Sequence, residues 1–111
     1  MDKQERYRAI LRKIVEDYAS CKPSTGQIDT EAIMDDAKGH YEVMHTGWDG
    51  ERRVHGCVIH LDIRGDKIWL QYDGTNRPVA DELEAAGVPR KDIVLAFHPA
   101  RKRPLTGYGV G

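Results

Sequence analysis

Cysteine is scarce in this chain: among 111 residues there are two, Cys21 and Cys57. A small exported domain that leans on disulfides carries more, so the thiols are expected to be reduced. Long apolar runs are missing as well. None approaches the ~20 residues a membrane helix needs, and the opening MDKQERYRAILRK is too charged to hold the apolar segment of a secretory signal. A cytoplasmic location without membrane attachment is therefore expected. Nor is there an excess of charge of one sign. Lys and Arg total 17 against 18 for Asp and Glu, a net charge of -1, which leaves no strong field to steer the whole molecule onto a polyanion. Internal repeats, low-complexity tracts, a phosphate-cradling glycine loop and a Ser-His-Asp or Cys-His nucleophile are also absent.

What remains is an ordinary globular composition, 40% hydrophobic and 32% charged, in a chain with room for a single domain spanning residues 1–111. Residues 3 to 19 place Tyr7, Ile10, Leu11, Ile14, Val15 and Tyr18 at helical spacing, with Asp2 and Glu5 set like the two halves of a capping box. Pro23 and Gly26 are expected to end that helix. From Ile28 the pattern turns strand-like, beginning with an acidic stretch around Ile33 and Met34 that suits an edge strand. Tyr41, Val43 and His45 then alternate with Glu42, Met44 and Thr46. Asp49-Gly50 supplies the positive φ angles of a hairpin turn. Arg53 to Ile63 reads as a long strand with Cys57, Ile59, Leu61 and Ile63 on the core face and Val58, His60 and Asp62 on the other.

The return strand sets Ile68, Leu70 and Tyr72 opposite Trp69, Gln71 and Asp73, completing a three-stranded meander. Asp73 to Asn76 can cap a short helix from about Pro78 to Gly87, with Val79, Leu83 and Ala86 on one side. Ile93 to Phe97 has strand length, and a Pro- and Gly-punctuated tail follows. The fold class is thus α+β: an N-terminal helix on an antiparallel meander, then a short helix, a further strand and an irregular tail.

Chemistry is sparse. His60 and Asp62 leave the same strand face and could begin a metal site or orient an imidazole. Such a site needs three or four convergent ligands, and neither His40, His45, His55 nor His98 stands at a recognised metal-ligand spacing from the pair. No metal or other cofactor is expected, and the pair reads as a partly exposed polar face. Trp69 shares that face. An aromatic there fits a contact surface, but the stronger reading is a core residue under a helix. Arg90, Lys91, Arg101, Lys102 and Arg103 crowd the last quarter, where they either face water or touch phosphates.

Taken together, YRAILRKIVEDYAS, GWDGERRVHGCVIHLDI, DKIWLQYDGT, VADELEAAGVPRKDIVLAFHP and RPLTGYGVG resemble the XisI family, the fdxN element excision controlling factors of cyanobacteria. The resemblance spans nearly the whole chain in order. It rests on Gly47-Trp48, Val54-x-Gly56-Cys57, His60-x-Asp62, Ile68-Trp69, Asp73-Gly74-Thr75, His98-Pro99 and Arg103-Pro104. It implies an accessory role in the site-specific excision of a DNA element, carried out by a separate recombinase together with a companion of the XisH family. It implies no catalysis and brings no set of catalytic residues.

The expectation is a non-enzymatic regulatory protein that binds a XisH-type companion through a surface made of His60, Asp62, Trp69, His98, Arg101 and Arg103. Two alternatives stand beside it. One is a directionality factor that binds DNA directly through the basic tail. The other is a small metal-dependent or hydrolytic enzyme built on His60, Asp62 and His98. An exposed strand edge could in addition support a dimer.

Overall fold

The first helix begins where its periodicity says it should: Asp2 Oδ1 accepts from the Glu5 amide at 2.8 Å, and α1 runs Lys3–Ala19. The computed structural model describes residues 2–21 and 27–111; the expected helix break at Pro23 and Gly26 lies outside the described residues. Four strands follow in a meander, β1 (Gln27–Asp35), β2 (His40–Asp49), β3 (Arg52–Arg64) and β4 (Lys67–Asp73), each antiparallel to the next. Helix α2 (Val79–Ala85) then crosses over and delivers β5 (Ile93–Leu95) parallel to β4, closing a five-stranded mixed sheet in sequential order. The fold is α+β, as its sequence implies, and the acidic β1 is an edge strand.

Both helices pack on one face of the sheet. Tyr7, Leu11, Ile14 and Val15 of α1 and Val79 and Leu83 of α2 are buried with Tyr41, Val43, Ile59, Leu61, Ile68 and Leu70 in one core cluster. Burying each such side chain stabilises the fold by about 1.5–3 kcal/mol before entropy is subtracted. Asp73 starts α2 from a distance, its Oδ2 accepting from the Val79 amide at 3.1 Å. A buried polar tie joins α1 to the far end of the chain: Tyr7 Oη donates to Asp92 Oδ2 at 2.6 Å, and Lys3 Nζ reaches the same oxygen at 2.7 Å.

The β2–β3 hairpin closes through Gly50-Glu51. Gly50 alone takes a positive φ (63°), as at the first position of a type II′ turn, so Asp49 does not share the left-handed geometry. Two β-bulges then reset the faces. Val43 pairs with Ile59 but Met44 with Cys57, leaving Val58 as an extra residue of β3; His60 pairs with Tyr72 but Leu61 with Leu70, leaving Gln71 extra in β4. Strict alternation therefore fails at two points. Val58 packs against the core, whereas Cys57, read as a core residue, lies on the opposite face beside Glu42. Tyr72, expected to face inward, is half exposed.

The final apolar run is shorter than its sequence suggests, because β5 stops at Leu95 and Phe97 is exposed. The tail is not wholly irregular either: Ala100–Leu105 form a 3₁₀ helix. The chain then returns so that Gly109 bridges to Val94, with its amide donating to Ile93 O at 2.7 Å. Among the described residues no helix is long and apolar enough to cross a membrane.

Candidate functional site

The sheet face away from the helices is left open, and the strand registers decide what stands on it. His40 lies opposite Asp62, Glu42 opposite His60, and Trp69 opposite Asp62 on the other side. The central carboxylate gathers these neighbours. Asp62 Oδ1 lies 2.9 Å from His40 Nδ1 and 3.2 Å from His60 Nε2, and Gln71 Nε2 donates to Asp62 Oδ2 at 3.1 Å. The other ring nitrogen of His40 lies 2.9 Å from Glu42 Oε2, and the two imidazoles sit 4.6 Å apart between centroids. Glu42 above all, with Asp62 adding to it against the opposing effect of burial, favours the charged form of His40 and raises its pKa. The His40 hydrogen bond in turn holds Glu42 below the usual carboxylate range, over a smaller opposing effect of burial. Burial, reinforced by Glu42, pushes the Cys57 thiol up to about 11, so it stays protonated and unreactive near neutral pH.

Beside this network lies an aromatic and arginine layer. Trp69 is no core residue under a helix: it sits part-buried on the open face, with the Arg64 guanidinium 4.7 Å from its ring centroid and that of Arg103 at 5.2 Å. Arg103 Nε also donates to His98 O at 3.1 Å, fixing the tail across the tryptophan. Ile33 projects from the outward side of β1 opposite Glu42, and Tyr72 from β4 opposite His60. Both are exposed.

Of the six residues expected to form the surface, four come together: His60, Asp62, Trp69 and Arg103. Arg101 stands exposed on the 3₁₀ helix. The His98 ring packs on Phe97, 4.8 Å between centroids, and among the described residues the third metal-capable side chain within reach of His60 and Asp62 is His40 rather than His98. The sequence reading sets His40 aside for want of a recognised spacing, and it does not single out Glu42 or Gln71. Counted back from the Gly50 turn without a bulge, His40 would have met Leu61 and faced away from Asp62. The extra residue Val58 turns it onto the same face.

The comparisons with known proteins agree with one another. A family model described as XisI protein matches residues 1–110. The solved structure of a XisI-like protein from Anabaena variabilis ATCC 29413 is 42% identical, with 97% of this chain and 99% of that one covered and a TM-score of 0.91. That of the fdxN element excision controlling factor XisI from the same organism is 33% identical, with 99% and 100% covered and a TM-score of 0.84. Among curated proteins none matches.

Proposed function

Since this chain belongs to the XisI family, we propose that it is a non-enzymatic regulatory protein whose open sheet face docks a protein partner, a XisH-type companion, in the control of DNA element excision. One relative, matched over 99% of this chain and 100% of its own, is an fdxN element excision controlling factor. The observation that carries the reading is the make-up of the open face. It carries a part-buried tryptophan against two arginines, exposed Ile33 and Tyr72 on other strands of the same face, and between them carboxylates and imidazoles already held in position. Aromatic and arginine residues are the ones enriched at protein interfaces, and preordered polar groups lose little entropy when a partner covers them.

Direct DNA binding through the tail has less support. Arg103 is engaged by Trp69 and the His98 carbonyl, and Arg90 pairs with Glu84 at 2.6 Å, which leaves Arg101, Lys102 and Lys91 to meet phosphates. Such a small set predicts weak, strongly salt-dependent binding. Co-expression with the XisH-type companion, followed by size-exclusion chromatography, tests the docking reading. A single peak holding both proteins that separates on Ile33→Glu or Tyr72→Ala substitution is expected. Two independent peaks at micromolar concentration would remove the reading, and salt-sensitive DNA binding abolished by neutralising Arg101 and Lys102 would replace it.

A further inference from the structure

We propose that His40, His60 and Asp62 form a binding site for a divalent transition-metal ion, zinc above all, on the open sheet face. Three features of the geometry point there. The donor atoms converge: one ligand atom from each residue lies within 4.8 Å of the others, and Asp62 Oδ1 is 2.9 Å from His40 Nδ1 and 3.2 Å from His60 Nε2. Ligands at about 2.0–2.1 Å around a tetrahedral zinc stand roughly 3.3 Å from one another, so two edges of the polyhedron are nearly built.

The ligands also carry the outer partners that such a site uses. His40 Nε2 can donate to Glu42 Oε2 at 2.9 Å, so that when an ion displaces the proton between Nδ1 and Asp62, Nδ1 is the nitrogen that turns its lone pair to the shared point. Gln71 occupies Asp62 Oδ2 at 3.1 Å and so turns Oδ1 toward both imidazoles. A carboxylate behind a ligating imidazole and an amide behind a ligating carboxylate hold the ligands in orientation and select the ligating tautomer as the ion binds.

The donor types make the third feature. Two imidazole nitrogens and one carboxylate oxygen suit zinc and its first-row neighbours, whereas magnesium and calcium prefer shells of oxygen. The side chains of His40 and His60 are 32% and 27% exposed, so the ion can enter from solvent, and three protein ligands leave a coordination position facing outward. The site rests on these contacts alone and stands whether or not the face docks a partner.

The test uses the full chain, stripped with a chelator and titrated with zinc by calorimetry. Binding of one ion per chain with a dissociation constant in the micromolar range or below is expected. His40→Ala and His60→Ala should each abolish it, and Gln71→Ala should weaken it by roughly tenfold or more. His98→Ala should leave it unchanged. Circular dichroism of each variant reports whether it has folded. Cobalt loaded in place of zinc gives a second reading that needs no variant: strong visible absorption typical of four coordination is expected, and magnesium should not displace it. Failure of zinc to bind the folded wild-type chain, or unchanged affinity in both histidine variants, would overturn the site and leave the cluster as a hydrogen-bonded network.

Discussion

Asp92 is the buried carboxylate on which the N-terminal helix is anchored to the 3₁₀ turn just before β5, so its removal gives a quantitative test of how the fold is held. The residue is 4% exposed, and its Oδ2 accepts from Tyr7 at 2.6 Å and faces Lys3 at 2.7 Å. Burial pushes the carboxyl up, but Lys3 and the Tyr7 hydroxyl together outweigh it and hold it below its ordinary value. Burial and Asp92 push the Tyr7 hydroxyl up to about 12, which keeps it a donor over the whole working range. Asp92→Asn keeps an acceptor but loses the charge, and the difference between charged and neutral hydrogen bonds predicts a loss of about 1–2 kcal/mol. Asp92→Ala also strands the buried Tyr7 hydroxyl and should cost about 2–4 kcal/mol. Lys3 is 40% exposed and screened, so its own share stays below about 1 kcal/mol.

The sign of the pH dependence follows from the depressed carboxyl. Its stabilisation is complete above the unfolded carboxyl pKa of about 4 and is lost as the pH falls through the lower folded value. Urea melts of wild type and Asp92→Asn should therefore differ at neutral pH and converge in strong acid. Equal stability of the two proteins at neutral pH, or a gap that persists unchanged to the acid limit, would refute this reasoning.

Two further substitutions probe how the tail is held against β5 and Trp69. A Cβ on Gly109 would lie 2.5 Å from Lys91 O and 3.1 Å from Ile93 O, so Gly109→Ala should destabilise the chain by about 1–3 kcal/mol in thermal melts and free the last residues to exchange their amides. Trp69→Ala removes two guanidinium contacts worth about 0.5–1 kcal/mol each, and limited trypsin digestion should then cut after Arg101 and Lys102 faster while the far-ultraviolet spectrum of the core is kept.

Much of the fold is legible in the sequence because its signals are local. The spacing of Tyr7, Leu11, Ile14 and Val15 needs only a helix to make sense, and Asp2 announces its start. Alternation and the Gly50 turn locate the meander strands, and Pro78 and Gly87 bracket α2. What escapes is what depends on pairing. An extra residue such as Val58 or Gln71 has no signature of its own, yet each bulge reverses the faces beyond it. Cys57 and Tyr72 are misplaced for that reason, and His40 is set aside and Glu42 passed over as neighbours of His60 and Asp62. Trp69 was hidden by a different effect: its neighbours Arg64 and Arg103 meet at its ring in the fold but lie far apart along the chain. The parallel placement of β5 likewise follows from the α2 crossover rather than from the three residues of the strand.

The claim on which the functional account depends is that the open sheet face is covered by a protein partner. Nuclear magnetic resonance of the labelled chain, titrated with the unlabelled XisH-type companion, reads it residue by residue. The account predicts that signals of Ile33, Glu42, His60, Tyr72 and the Trp69 indole shift or broaden together while those of the helix faces away from the sheet hold still. Changes confined to α1 and α2, with the open face silent, would contradict it.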